Sequence, residues 1–209
     1  MAVRKVSEKT IRRLSHYAMC LRRARNDGVK VITSSFLSGR CGISAAAVRK
    51  DLAAFGDFGK QGSGYRVDGL LRNVELILGT CDPPPVIVVG VGNIGRALLE
   101  SGLDGTGGYR YTAAFDADPD LSGEMIAGVR VLPLDEIGSS AGNITDTIAI
   151  VAVSAGHGQD AVDRLLKAGC RCILSFNLEP LEVPEGVSLR YVEVSTELDI
   201  LTHSMKCGD

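Results

Sequence analysis

VIVVGVGNIG, residues 86–95, joins a short apolar run to a Gly-x-Gly-x-x-Gly turn. The run Val86–Val89 is typical of a buried strand, and the apolar spacing after the turn is typical of a helix. Asp116 follows Gly95 by twenty-one residues and comes directly after a second strand-like run, 111–115. A strand, a glycine turn, a helix start and an acid at this distance predict a dinucleotide-binding βαβ unit.

The turn is expected to hold a dinucleotide pyrophosphate at the positive end of the following helix. Gly92 would let the backbone approach the phosphates, and Gly95 would let the helix pack closely on the strand. Asp116 would accept hydrogen bonds from the ribose hydroxyls and repel a 2′-phosphate, which favours NAD(H) over NADP(H). We therefore assign the cofactor to Asp116 and to the turn residues Gly90, Val91, Gly92, Asn93, Ile94 and Gly95.

Strands and helices are predicted to alternate after this unit, which indicates an α/β fold with a doubly wound parallel sheet. Ligands of such sheets lie at the carboxyl ends of the strands, so Ser154 and Phe176 join the predicted site. Asp118 and Asp120 are expected in a solvated turn, and His157 in a loop or at a helix start rather than as a general base. The remaining strands are predicted at 129–132, 147–153, 172–176 and 189–194, with a crossover helix before Gly169 and a terminal helix over 194–205.

Charge divides the chain into a basic head and an acidic body. Residues 1–72 contain 15 Lys and Arg against five Asp and Glu, whereas residues 73–209 contain eight against 20, for a total of −2. Such asymmetry predicts that the head meets a polyanion. Pro83-Pro84-Pro85 cannot continue a helix, so we place domains at 1–79 and 86–190, a linker at 80–85 and a C-terminal dimerisation segment at 191–209.

The head has the pattern of a helix-turn-helix. Ser7 is a good N-cap for a first helix that ends at Gly28, a second helix is expected from Ser34 or Ser35 to Arg40, and Ser44 caps a third over 45–55. Recognition helices enter the major groove by their N-terminal residues. Four glycines then predict a two-stranded wing over 56–67. The candidate DNA contacts are Ser44, Ala45, Arg49, Lys50, Lys60, Gln61 and Tyr65.

Six cysteines show no zinc-binding spacing, and we expect no metal and mostly buried free thiols. No signal peptide and no run of 18 apolar residues occurs, so we expect a cytoplasmic protein without a membrane segment. One alternative is a small NAD-dependent oxidoreductase, but the chain after the linker suffices for a single nucleotide domain, and we expect no catalytic residues. Another alternative is constitutive DNA binding, with the nucleotide domain serving only dimerisation.

The chain resembles the bacterial Rex family of redox-sensing transcriptional repressors over nearly its whole length. The matching stretches are SAAAVRKDL (44–52), FGDFGKQGSGY (55–65), GVGNIG (90–95), FDADP (115–119), AGCRCILSF (168–176) and VEVSTELDIL (192–201). The resemblance implies a homodimer of winged helix-turn-helix heads on a pseudo-palindromic double-stranded operator, with NADH or NAD bound to the Rossmann-like domains. It also implies a C-terminal helix exchanged between subunits, and release from DNA when NADH closes the dimer.

Several positions depart from the family pattern. Ser101 replaces a common tyrosine near the nicotinamide, Ser154 replaces a proline, and Ser175-Phe176-Asn177 replaces an Asn-Phe-Ala run. Glu193 replaces an aspartate of the exchanged segment, which makes it a candidate cofactor contact, and Gln61 replaces a wing arginine. Because several departures lie on the nicotinamide side, a divergent paralogue with altered or no redox sensing is a further alternative.

Overall fold

A computed structural model describes residues 6–55, 64–102, 108–140 and 144–207. The chain divides into two compact units between Pro83 and Pro84, with Gly108 grouped with the first unit. We describe each unit by itself. The limits of the domains, linker and terminal segment given above remain predictions.

The first unit is mainly helical. Helix α1 (Glu8–Asn26) is capped by Ser7, whose hydroxyl accepts from the amide of Thr10, as predicted. The short strand β1 (Val31–Ile32) precedes α2 (Ser34–Cys41), and Ser44 caps α3 (Ala45–Ala53). Strand β2 (Tyr65–Arg66) leads into α4 (Val67–Leu78), which ends at Gly79. Helix α3 ends two residues earlier than predicted.

One hydrophobic core holds this unit together. The fully buried members from α1 are Leu14, Tyr17, Ala18 and Leu21; those from α2 to α4 are Leu37, Val48, Leu52, Leu70, Leu71 and Val74. Antiparallel pairing joins β2 to β1, so the last part of the predicted wing pairs with Val31–Ile32, which the sequence analysis did not assign to a strand. Lys60, Gln61 and the rest of the predicted wing from 56 to 63 lie outside the described residues.

The second unit is the predicted α/β sheet. Among the residues that the structure describes, its seven strands run in the order β5-β6-β4-β3-β7-β8-β9, and every neighbouring pair is parallel except β5 with β6. In chain order the strands and helices are β3 (Val86–Val89), α5 (Asn93–Ser101), β4 (Tyr111–Asp116), β5 (Met125–Ile126), β6 (Val129–Pro133), α6 (Ile137–Ser140), β7 (Ile148–Val151), α7 (Gly158–Lys167), β8 (Cys172–Ser175), β9 (Ser188–Tyr191) and α8 (Val194–Cys207).

Helices cover both faces of this sheet. Ile87 and Val89 of β3 belong to a core that also contains Val162 and Leu165 of α7. Side chains alternate along a strand, so Val88 faces the opposite side, where Gly95 of α5 lies against it. The central strands β3 and β7 are buried almost completely, as their apolar runs predicted. The β5–β6 hairpin and two short 3₁₀ turns, Pro119–Leu121 and Leu134–Glu136, were not predicted.

Cysteine burial was predicted wrongly. Of the six free thiols, Cys20 and Cys170 are buried and Cys41 is half-buried, whereas Cys81, Cys172 and Cys207 are exposed. Composition shows only that cysteine is usually buried, and these three lie at a linker, a strand start and a helix end. None of the helices in the described parts of the chain is long and apolar enough to cross a membrane.

Candidate nucleotide site and DNA-binding surface

A cavity of about 520 Å³ opens at the carboxyl ends of the central strands β3, β4 and β7. This is the place where a doubly wound sheet binds its ligand, because the chain turns to opposite faces on either side of β3. The cavity is lined by Gly90, Gly92, Asp116, Ala117, Asp118, Leu121, Leu134, Ala152, Val153, Ser154, His157, Asp160 and Ala161.

The absence of a side chain has a different consequence at each of the three glycines of the turn. Gly90 has a φ of 93°, and a β-carbon there would lie 2.7 Å from the carbonyl group of Ala152. A β-carbon on Gly95 would overlap the carbonyl oxygen of Gly90. At Gly92 a β-carbon would meet no protein atom within 4 Å, and its φ of −70° suits any residue. The fold therefore requires Gly90 and Gly95, whereas Gly92 keeps space free in the cavity wall.

Asp116 joins the end of β4 to the glycine turn. Its Oδ2 accepts the backbone amide of Val91 at 2.6 Å, and its Oδ1 accepts the amide of Asp118 at 2.9 Å. These two bonds fix the carboxylate at the cavity wall. Each carboxylate oxygen has a second lone-pair site, so the group can still accept a ribose hydroxyl. A phosphate in the same place would meet the negative charges of Asp116 and Asp118.

The first turn of α5 offers free amides to an anion. Gly92 is its N-cap and makes no side-chain capping bond. The amides that open a helix lack intrahelical partners, and the helix dipole places partial positive charge there. Asn93, Ile94 and Gly95 supply these amides, while the Val91 side chain is buried beneath the turn. The geometry suits a pyrophosphate between Gly90 and the start of α5.

The loop after β7 supplies residues that line the cavity. The sequence predicted that Ser154 lies near the ligand, but it did not define the other lining residues of this loop. Ser154 lines the cavity, as does His157, which is the N-cap of α7, a position that agrees with the predicted helix start. Asp160, in the first turn of α7, was not predicted; it accepts a hydrogen bond from Arg164 at 2.8 Å. Strand order would have indicated it, because β7 pairs directly with β3.

Two predicted cofactor residues outside the glycine turn do not line the cavity within the single chain. Phe176 is half-buried, and its amide donates to the carbonyl of Val151 at 2.8 Å. Glu193 is exposed just before α8 and accepts the hydroxyl of Thr196 at 2.8 Å. Neither is among the described residues that line the cavity. Their contact with a cofactor remains a prediction, which for Glu193 involves a second subunit.

The helix-turn-helix of the first unit consists of α2 and α3, joined by Gly42 in the left-handed conformation. The hydroxyl of Ser44 accepts the amide of Ala47 at 3.2 Å, which fixes the start of α3, and Ala45 is half-buried. Arg49 and Lys50 are exposed, as predicted. Arg49 also donates to the hydroxyl of Ser34 on α2 at 3.1 Å, so its guanidinium is positioned over the helix pair.

Tyr65 differs from the other candidate DNA contacts. It pairs with Ile32 in the β1–β2 ribbon and packs partly against the first hydrophobic core. A structural role is therefore established for Tyr65, and its contact with DNA remains a prediction.

A buried polar cluster that the sequence did not reveal connects α3 to α1. Arg13 donates two hydrogen bonds to the carboxylate of Asp51, each 2.6 Å long, and the Tyr17 hydroxyl donates to the same carboxylate at 2.9 Å. Burial opposes ionisation of Asp51, but the bonds from Arg13 and Tyr17 outweigh it and lower its pKa. Asp51 directly follows Lys50, so this cluster fixes the orientation of the helix that displays the candidate DNA contacts.

Comparison with known proteins gives the same division of the chain. Residues 5–53 match a family model described as "Putative DNA-binding protein N-terminus", and residues 82–178 match the "CoA binding domain" model. A redox-sensing transcriptional repressor Rex from Desulforamulus reducens is 38% identical over 98% of this chain and 98% of its own length.

Solved structures agree in both sequence and fold. RSP, a Rex-family repressor, was solved in complex with β-NAD⁺ and operator DNA; it is 32% identical, has a TM-score of 0.84, and the match covers 97% of this chain and 93% of RSP. Its complex with β-NADH gives 30% identity and a TM-score of 0.82 over 97% and 95%.

A helix-turn-helix head and a Rossmann-like body with an open dinucleotide cavity define a DNA-binding regulator that contains a nucleotide site. The extent of identity, over nearly the whole of both chains, makes the assignment more specific. The chain belongs to the Rex family of redox-sensing transcriptional repressors.

Proposed function

We propose that this chain is a transcriptional repressor whose affinity for double-stranded operator DNA depends on the bound NAD(H). In this proposal, NADH releases the protein from the operator. The proposal rests on the Asp116 carboxylate, which is hydrogen-bonded to the glycine turn at the cavity. The same chain exposes Arg49 and Lys50 on the helix-turn-helix of its first unit. The relatives named above are repressors, and RSP was solved with operator DNA and with both oxidation states of the dinucleotide.

The cavity favours NAD(H) over NADP(H) on electrostatic grounds. Asp116, Asp118 and Asp160 place three carboxylates around it. Hydroxyl groups of a ribose can donate to such oxygens, whereas a 2′-phosphate would be repelled by them. In this proposal the cavity senses its ligand and does not catalyse a reaction, and the protein works in the cytoplasm, where it reaches operator DNA.

Dimerisation is part of the proposal because α8 leaves an apolar surface exposed. Val194, Leu198, Leu201 and Met205 are each more than half exposed in the single chain. A 14-residue helix with such a surface needs a partner, and a second copy of the chain is proposed to cover it. Two heads in one homodimer would match a pseudo-palindromic operator. Glu193, just before α8, would then reach the partner's cavity.

A second candidate function is a repressor of the same family that no longer distinguishes NADH from NAD. Ser101 favours this reading, because it stands at the exposed end of α5 and its hydroxyl donates to the carbonyl of Leu98 on its own helix. A serine held in this way offers no ring on which a nicotinamide could stack. Ring recognition would then depend on Ser154, Phe176 and Glu193.

The experiment that tests the proposal is an operator-binding titration with NADH, NAD and NADPH added separately. We expect NADH to raise the apparent dissociation constant for operator DNA, and NADPH to have little effect at the same concentration. Equal release by NADH and NAD would favour the second candidate function. Unchanged DNA binding at saturating NADH and NAD would contradict both redox sensing and dinucleotide control.

Gly92→Val gives this titration a matched control. A β-carbon at Gly92 has no neighbour within 4 Å, so we expect the fold to accept the valine and its side chain to occupy cavity space. The fold and operator binding should persist while the response to NADH is lost. Gly95→Val is the contrasting variant, because its side chain would overlap Gly90 and should damage the second unit itself. A Gly92→Val protein that still responds to NADH would place the dinucleotide elsewhere.

A further inference from the structure

Two thiols from different helices meet in the first unit. Cys20, on α1, and Cys41, the last residue of α2, have their Sγ atoms 3.1 Å apart and share a hydrogen bond. A disulfide requires about 2.05 Å between the sulfurs, so an approach of about 1 Å would close the bond. The two residues are twenty-one positions apart in the chain, and the fold alone brings them together.

The surroundings of the two thiols differ. Cys20 is 8% exposed within the hydrophobic core, whereas Cys41 is half-buried, and its Sγ also lies 3.8 Å from the carbonyl oxygen of His16. Cys170, the other buried thiol, donates to backbone carbonyls instead. A half-buried thiol beside a buried one has the arrangement of an attacking and a resolving cysteine.

We propose that Cys20 and Cys41 are a thiol-oxidation site that hydrogen peroxide converts into a reversible disulfide between α1 and α2. The Cys41 sulfur attacks one oxygen of the peroxide, giving a Cys41 sulfenic acid and one water molecule. The Cys20 sulfur then displaces the hydroxyl group from Cys41, forming the S–S bond and a second water molecule. The two thiols lose two electrons and two protons, and hydrogen peroxide is reduced to two waters.

The environment makes this a slow reaction. Burial raises the pKa of the Cys41 thiol to about 12, and its hydrogen bond with Cys20 acts in the same direction. The thiolate is the reactive form, so the site responds to sustained oxidation and reacts faster as the pH rises. Thiol–disulfide exchange with a reductant such as dithiothreitol reverses the bond.

The location gives the disulfide a consequence for the head. It would tie α1 to the final residue of α2, immediately before the Gly42 turn that leads to α3. Constraining residues 20–41 reduces the freedom of the unfolded chain and so stabilises the first unit. This input lies in the first unit and does not depend on the dinucleotide site of the second, so it is independent of the proposed function.

The test uses the full chain, first reduced, then freed of reductant and exposed to hydrogen peroxide. Trypsin cleaves after Arg13, Arg22, Arg40 and Arg49, so the disulfide would join peptides 14–22 and 41–49 under non-reducing conditions. We expect this linked pair by mass spectrometry, together with a rise of several degrees in the unfolding temperature of the first unit that dithiothreitol reverses. The linked pair should form with and without saturating NADH.

Cys41→Ala should abolish both the linked peptides and the temperature rise, whereas Cys172→Ala, at an exposed cysteine of the second unit, should change neither. Cys41 is half-buried, so its alanine variant keeps the core intact and does not depend on the tolerance of Cys20 to substitution. Recovery of Cys20 as a free thiol beside an over-oxidised Cys41 would overturn the proposal. So would a disulfide to any other cysteine, or the linked pair without stabilisation.

Discussion

Replacing Asp51 by asparagine should weaken the first unit substantially, although the two side chains have nearly the same shape. The Asp51 side chain is 8% exposed and that of Arg13 is 24% exposed, so water replaces little of what the substitution removes. Removing one partner of a buried ion pair lowers the free energy of unfolding by about 3–5 kcal/mol. Asparagine keeps one acceptor oxygen for Tyr17 or Arg13, which reduces the expected loss to about 3 kcal/mol.

Urea unfolding at pH 7, followed by circular dichroism, measures this loss. The matched control is Glu8→Gln, which makes the same acid-to-amide change in the exposed Arg12–Glu8 pair of α1, where the side chains are 73% and 50% exposed. Exposed pairs at this spacing contribute about 0.3–0.5 kcal/mol. If Asp51→Asn unfolds within 0.5 kcal/mol of wild type, the cluster does not hold α3 in place and the reasoning is wrong.

Acid should remove the difference between Asp51→Asn and wild type. The folded state lowers the pKa of Asp51 below the value of about 3.9 expected in the unfolded chain. A carboxyl group with a lowered folded-state pKa contributes stability that is complete above the unfolded pKa and is lost as the pH falls through the folded pKa. The gap in unfolding free energy should therefore be constant from pH 7 to about 5 and shrink below about 4.

Three further predictions address the two binding surfaces and the dimer. Arg49→Ala should weaken operator binding about tenfold or more, and it should lower the slope of log affinity against log salt concentration by about one unit. Ser34→Ala removes only the internal contact of Arg49 and should bind operator normally. An equal loss of operator affinity in both variants would show that the role of Arg49 is structural. Asp116→Ala should weaken NADH binding and narrow its advantage over NADPH in calorimetry, whereas an unchanged ratio would remove Asp116 from ribose selection. Leu198→Glu combined with Leu201→Glu should give folded monomers in sedimentation experiments, and an intact dimer would exclude this helix surface from the interface.

The sequence revealed the fold well where local pattern and burial agree. The runs Val86–Val89 and Ile148–Val151 are covered on both faces, so they are apolar throughout and were recognised as strands, the second with limits of 147–153. The two-residue strands β1 and β5 were missed, because two residues show no periodicity and only their pairing with β2 and β6 defines them. Helix caps such as Ser7 and Ser44 were recognised because their bonds are local.

The sites were predictable to the extent that they are local in sequence. Asp116 follows from its spacing to the glycine turn. Asp160 required the strand order, since only the pairing of β7 with β3 brings its loop to the cavity. Asp51 was inconspicuous beside Arg49 and Lys50, because its partner Arg13 lies 38 residues away. The Cys20–Cys41 contact was hidden for the same reason.

A repressor that NADH releases from DNA must bind NADH with different affinities on and off the operator. This difference can be measured through the binding of either NADH or operator DNA. Moving the dimer from about 1% to about 99% off operator requires NADH to favour the released form by roughly 10⁴-fold, or about 5.5 kcal/mol. Shared between two sites, this is about 2.7 kcal/mol, or roughly a hundredfold in affinity per site. Linkage is reciprocal, so saturating operator must weaken NADH binding by the same factor. Calorimetry of NADH binding with and without operator should therefore give dissociation constants about a hundredfold apart, whereas NAD should show a much smaller ratio. Equal NADH affinities on and off DNA would mean that the dinucleotide cannot drive release, however tightly the cavity holds it.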